Sequence, residues 1–242
     1  MPQISVVIPC HNESGNIGAL VAEVFQTIPA DMLGEVIVVD DASTDSSAAE
    51  VAAMLPSHSK LRLLKNLKNA GQSASVRNGV KAAQFPLIAT MDGDGQNPPA
   101  DIPPLVAAWR PDGPHLVGGH RTNRRDTWSK RWASKGANAL RRAMLRDDCP
   151  DTGCGLKVFE RDRHLDLPFF QGQHRYLPAL FRAAGCTAAF VPVGDRAREH
   201  GKSNYTNWRR GLQGVPDLLG VAWLVRRARP VLSHEERGER CR

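Results

Sequence analysis

The chain has 242 residues, 41% of them apolar, with a formal charge of +7 and an isoelectric point near 9.5. Such a length suits one large α/β domain, alone or with a short appendage, and the basic balance favours anionic partners such as nucleotides, phospholipid headgroups or nucleic acid. Five cysteines (Cys10, Cys149, Cys154, Cys186 and Cys241) form no CxxC pair, which argues for reduced thiols in a cytosolic compartment and against a disulfide framework or a zinc site.

The opening MPQISVVIPC lacks the basic and apolar regions of a signal peptide. No stretch reaches the roughly 18 apolar residues of a spanning helix.

In chain order, Ile4–Pro9 reads as a buried strand: short, β-branched and ended by proline. Asn16–Ile28 places Ile17, Leu20, Val21, Val24, Phe25 and Ile28 three and four apart, the pattern of an amphipathic helix. Val36–Val39 is a second buried strand, and Thr44-Asp45 can cap a helix running to about Leu55. Leu61–Leu64 is a third strand, Ser73–Ala83 a third helix and Leu87–Met91 a fourth strand. This alternation predicts a mostly parallel sheet flanked by helices, with ligands beyond the carboxyl ends of its strands.

Polar residues stand at those ends. Strand one leads into Pro9-Cys10-His11-Asn12-Glu13, strand two into Asp40-Asp41-Ala42-Ser43-Thr44-Asp45, and strand four into Met91-Asp92-Gly93-Asp94-Gly95-Gln96. One acidic turn is ordinary; three in succession after buried strands predict a site on one sheet edge. Asp92 and Asp94 are two apart, so in an extended chain they point to the same side. Such hard oxygen donors, completed by water and phosphate oxygens, suit Mg2+ or Mn2+.

The segments ISVVIPCHNE, VVDDASTD, NAGQSASVRNG and MDGDGQNPP, in that order, resemble glycosyltransferase family two, over about residues 3–205. Within that family they are similar to the branch that glycosylates dolichyl or polyprenyl phosphates. The resemblance implies the GT-A fold, a Rossmann-like nucleotide-diphospho-sugar domain, over residues 1–206. It implies that Pro9, His11, Glu13, Asp40 and Asp41 hold the base and ribose, with Gly71 and Arg77 in the next nucleotide-side motif. Asp92 matches the sugar- and ribose-side aspartate, and Asp94 and Gln96 the metal-binding pair. His11 replaces the more usual tyrosine or phenylalanine, although an imidazole can still stack on a base.

In the second half, Arg121, Lys130 and Arg131 match basic residues set against the diphosphate and the acceptor phosphate. The last two lie in a predicted basic helix over 128–140. The turn and strand at 151–159 resemble the acceptor side, with Lys157 where an arginine is common. REHGKSNY (198–205) resembles the mobile loop that closes over the donor, with Arg198 and Lys202 as phosphate contacts. The catalytic set so implied is Asp92, Asp94, Arg121 and Arg131.

The expected reaction is inverting, metal-dependent transfer of a hexose or uronic acid from a GDP- or UDP-sugar to a lipid-linked phosphate. A phosphate monoester is already an anion near neutral pH, so no strong general base is needed and no catalytic histidine is nominated. The competing reading is a saccharide acceptor, with Asp151 or Glu160 as base. A nucleic-acid partner explains the basicity but not three acidic strand ends.

Residues 207–230 read as an amphipathic helix whose apolar face holds Leu212, Val215, Leu218, Leu219, Ala222 and Trp223. Arginines at both ends suit the cytoplasmic face of a membrane, to which the protein would bind peripherally; the equal alternative is an ordinary amphipathic helix packed on the domain. Residues 231–242 read as a polar, disordered tail.

Overall fold

The structure, a computed structural model, describes residues 2–122, 141–145, 147–197 and 207–228, with no side-chain detail over 207–214. The first half follows the predicted alternation: β1 (Ile4–Cys10), α1 (Ile17–Thr27), β2 (Leu33–Asp40), α2 (Ser47–Met54), β3 (Leu61–Lys65), α3 (Gln72–Ala82) and β4 (Leu87–Thr90). After it come α4 (Ile102–Ala108), β5 (Leu116–Arg121), β6 (Lys157–Glu160), α5 (Arg161–Asp166), α6 (Leu177–Ala183), β7 (Ala188–Val193) and α7 (Asn207–Arg227).

The seven strands form one sheet in the order β3-β2-β1-β4-β6-β5-β7. β1 pairs in parallel with β2 and β4, β2 with β3, and β5 with β7, whereas β6 runs antiparallel between β4 and β5. That reversal matters for the site. A reversed strand brings its amino-terminal end to the edge where its neighbours present their carboxyl ends. Lys157 therefore lies opposite Thr90 at the rim, and Glu160 lies opposite Leu87 at the far end.

Both faces of the central strands are covered, which is why they read as unbroken apolar runs. Ile4, Val6, Ile8, Val36 and Val38 join a core with Leu20, Val21 and Val24 of α1 and Leu105 of α4. Val7, Ile37 and Val39, pointing the other way, join Val76 and Val80 of α3, Phe181 of α6 and Val221 of α7.

The N-cap position of α2 is Ser46, with no side-chain capping bond, so the predicted cap residues just before it serve other contacts. Asp45 Oδ1 accepts the N–H of Ser47 at 3.0 Å, while Thr44 donates its amide to Asn12 Oδ1 at 2.8 Å and so ties the β2 loop to the β1 loop.

The C-terminal helix departs from the expected single apolar face. Val221 and Ala222 are buried, and Leu218, Leu224 and Val225 pack on the same core. Val215, Leu219 and Trp223 instead point outward, each close to 60% exposed. Spaced four apart, they form a separate stripe from the core-facing one. Leu212 lies outside the residues with described side chains, as do the basic helix at 128–140 and the tail at 231–242. No helix among the described residues is long and apolar enough to cross a membrane.

Candidate active site

The ends of β1 and β2 are locked to each other by backbone that ordinary residues avoid. Asn12 and Ala42 both hold left-handed conformations, at φ 56 and 54°, which costs roughly 1–2 kcal/mol for a residue with a Cβ. Compensating bonds run between the two loops: Asn12 N–H donates to Ser43 Oγ at 3.0 Å, and Glu13 N–H to Ser47 Oγ at 2.8 Å. Strain concentrated at adjacent strand ends is what a preorganised binding edge looks like.

The two aspartates after β2 have different tasks. Asp41 braces the loop after β3: Oδ1 accepts Asn66 Nδ2 at 2.7 Å and the Ala70 amide at 2.8 Å, and Oδ2 accepts the Gly71 amide at 2.8 Å. Gly71 has φ +82° and so starts α3 from a left-handed residue. Asp40 is buried, yet its Oδ1 has no hydrogen-bond partner among the described residues. A buried carboxylate oxygen left so is costly, and a ligand N–H or O–H would satisfy it. His11 Nδ1 sits 2.9 Å from the Asp41 carbonyl, which makes Nδ1 the protonated nitrogen. Pro9 lies one strand across, in the wall of a pocket shared with Asp92.

Asp92 and Asp94 do not lie in an extended segment. Residues 93 and 94 form a turn, and the two carboxylates line different cavities. Asp92 shares a pocket with Gln72, Thr90, Gly155, Lys157 and His174, while Asp94 faces a cleft with Asn16, Glu23 and Arg196. The Asp92 carboxylate rests on Gly155, where an added Cβ would stand 2.4 Å from it, and its Oδ1 accepts Gln72 Nε2 at 2.7 Å. Burial, and then the charge of Asp94, push the Asp92 pKa up to about 6 against the pull of Lys157 and Arg121. Asp94 Oδ1 accepts the Gln96 amide at 3.1 Å.

Two hard oxygen donors on one turn, with open space where a Cβ on Gly95 would stand, fit a divalent ion. Among the described residues no cluster of three or more His, Cys, Asp or Glu side chains forms a complete metal cage. The donor set therefore suits an ion completed by water and diphosphate oxygens.

At the end of β5, Arg121 is already engaged. Its Nε and Nη2 fork onto Asp151 at 2.7 and 3.1 Å, and Nη1 lies 3.7 Å from Asp195. Burial alone would lower the Arg121 pKa, but the Asp151 hydrogen bond and charge reverse that and hold the guanidinium charged. Lys157 is buried and donates to the Cys154 carbonyl.

Arg77, expected on the nucleotide side, is spent elsewhere. It donates to the carbonyls of Leu165 and Leu167 at 3.1 and 3.3 Å and lies over the Phe169 ring. The structure thus brings Pro9, His11, Glu13, Asp40, Asp41, Gly71, Asp92, Asp94, Gln96 and Arg121 to the carboxyl edge and leaves Arg77 buttressing α3. Lys130, Arg131, Arg198 and Lys202 lie outside the described residues.

The profile of glycosyl transferase family 2 matches residues 5–167. The chain belongs to that family. Dodecaprenyl-phosphate galacturonate synthase of Rhizobium johnstonii is 32% identical over 238 residues, covering 94% of this chain and 69% of that protein. Undecaprenyl-phosphate 4-deoxy-4-formamido-L-arabinose transferase of Aeromonas hydrophila is 34% identical over 207 residues, covering 84% of this chain and 62% of that protein. The chain thus spans about two-thirds of the length of these relatives.

A solved structure of glucosyl-3-phosphoglycerate synthase from Mycobacterium tuberculosis, with Mn2+, UDP and glucosyl-3-phosphoglycerate, superposes with a TM-score of 0.73. It is 22% identical, and the match covers 92% of this chain and 80% of that one. Agreement at that identity establishes a shared fold, the expected GT-A fold.

Several residues that line these two cavities were not singled out by sequence reading. Gln72 sits inside a recognised motif but carries no charge to mark it. His174 and Arg196 follow no strand end of the first half. Glu23 is an ordinary solvent-side position of an amphipathic helix.

Proposed function

We propose that the protein is an inverting glycosyltransferase that moves a sugar from a nucleotide-sugar to a polyprenyl or dolichyl phosphate at a membrane surface. One observation carries the choice of acceptor. A saccharide hydroxyl needs a base, and both candidates are withdrawn: Asp151 is held by the Arg121 fork, and Glu160 lies at the opposite end of the sheet, paired with Arg163. A phosphate acceptor is already anionic and needs none.

In this reading Asp40 receives a donor group of the nucleoside through its unpartnered oxygen, and His11 lies against the base. Asp92, held by Gln72 and Gly155, orients the sugar side of the donor. Asp94 and Gln96 hold Mg2+ or Mn2+, which would neutralise charge on the leaving diphosphate. The remaining task is to bring two anions together, which is done by positioning and fixed charge. The outward stripe Val215-Leu219-Trp223 ends beside the exposed Arg226 and Arg227, and Arg227 lies over the Trp223 ring. An apolar stripe with terminal cations suits an anionic bilayer surface. The similarity to enzymes named for polyprenyl phosphates supports the same acceptor.

The test is product analysis. Purified protein with Mn2+, a panel of UDP- and GDP-sugars, and either undecaprenyl phosphate or soluble saccharides is expected to yield a glycosylated lipid phosphate, detected by mass spectrometry. EDTA in excess, or Asp94→Asn, is expected to remove it. Transfer to a saccharide with none to the lipid would refute the acceptor; full activity in EDTA would refute the metal.

A further inference from the structure

We propose that Glu23, on α1 and outside every recognised motif, is a positioning residue for Asp94, acting through Arg196 and Gln96. The inference rests on the reading that Asp94 and Gln96 hold the divalent ion.

Each link of the relay is present. Both Glu23 carboxylate oxygens accept from the Arg196 guanidinium, at 2.9 Å each. The Arg196 main chain grips Gln96 twice, its N–H donating to the Gln96 carbonyl at 2.9 Å and its carbonyl accepting Gln96 Nε2 at 3.3 Å. The Gln96 N–H in turn holds Asp94 Oδ1 at 3.1 Å. Because Gln96 spends Nε2 on Arg196, its Oε1 is the end oriented for an ion.

The setting shows why the distant anchor matters. Residues 194–197 leave β7 as a strap across the metal turn. The strap is pinned at Gly194, whose N–H donates to Asp101 Oδ2 at 2.7 Å, and at Asp195, 3.7 Å from Arg121 Nη1. Arg196 is its third attachment. The metal turn contains two glycines, so its own backbone constrains Asp94 weakly. Without the Glu23 anchor the turn must be ordered when the ion binds, and that entropy is subtracted from metal affinity. His11 and Asp40, the proposed nucleoside contacts, stand at the ends of β1 and β2 and not on the strap.

Mn2+ affinity, read by electron paramagnetic resonance of free Mn2+ in the presence of UDP, tests this alongside metal-free UDP binding by calorimetry. Both side chains are partly exposed, so the variants are expected to keep the wild-type melting temperature. Glu23→Gln and Arg196→Glu are expected to weaken Mn2+ by up to about fivefold, the scale of a well-formed exposed ion pair, with metal-free UDP affinity unchanged. The reciprocal double variant, Glu23→Arg with Arg196→Glu, is expected to recover most of the loss. Wild-type Mn2+ affinity in Glu23→Gln, or no recovery in the double variant, overturns the relay. If Asp94→Asn itself keeps wild-type Mn2+ affinity, the metal assignment falls and takes the relay with it.

Discussion

Replacing Asp92 with asparagine is expected to stabilise the metal-free protein while removing its turnover. In the fold the carboxyl titrates near 6 instead of its ordinary 3.8, first because it is buried and then because Asp94 lies close. A raised carboxyl pKa means that the folded state holds its proton where the unfolded chain has already lost it, so stability falls as pH rises between those two values. The gap corresponds to about 3 kcal/mol of destabilisation above pH 6, at about 1.4 kcal/mol per pH unit. At pH 4.5 the same relation leaves only about 1 kcal/mol. An asparagine carries no charge to desolvate, and its Oδ1 can still accept from Gln72 Nε2. Urea unfolding in EDTA is therefore expected to show the variant more stable by up to about 3 kcal/mol at pH 7.5 and by about 1 kcal/mol at pH 4.5. Glycosyl transfer is expected to fall at least about 100-fold, the scale of removing a preorganised charged contact. Equal gains at the two pH values, or a variant less stable at pH 7.5, would refute the reasoning that this carboxylate is held at the cost of stability.

Three further outcomes follow from named contacts. Gly155→Ala would place a methyl 2.4 Å from the Asp92 carboxylate; it is expected to cost about 1–3 kcal/mol in unfolding and to lower kcat disproportionately, which a thermal melt set beside turnover separates. Arg121→Ala removes the forked guanidinium from the buried Asp151 and is expected to cost about 3–5 kcal/mol, with no rescue by Arg121→Lys because the fork is lost. A wild-type melting temperature with only a raised KM would instead assign Arg121 to phosphate. Leu219→Asp and Trp223→Asp are expected to leave the melting temperature unchanged and to weaken co-flotation with anionic liposomes, whereas Val221→Asp, on the packed face, is expected to unfold the protein.

The first four strands and three helices were legible because each is a local pattern. β-branched runs between turn residues, and apolar positions three and four apart, report on a chain's immediate neighbours. Lys157–Glu160 could be read as a strand, but not its direction. Strand polarity depends on what it pairs with, and that pairing spans the long stretch between β4 and β6. Its reversal is what places Lys157 at the rim and Glu160 far from it. The C-terminal helix shows the same limit. Val215, Leu218, Leu219, Ala222 and Trp223 look like one apolar face by spacing, yet the domain covers only part of it, and which part depends on where α6 presents a surface.

By itself, the order of residues determined the strand-helix alternation, the acidic strand ends and the oxygen-donor segment after β4, though not that this segment turns, because each is written in contiguous residues. Only the tertiary structure decided which charges remain available. Arg121 and Asp151 cancel across 30 residues, Arg77 turns to the carbonyls of Leu165 and Leu167, and Asp41 is consumed by the loop it braces, while Asp40 beside it keeps a buried oxygen without a partner among the described residues. A side chain's chemistry is set by its partners, and partners brought together by folding leave no local trace.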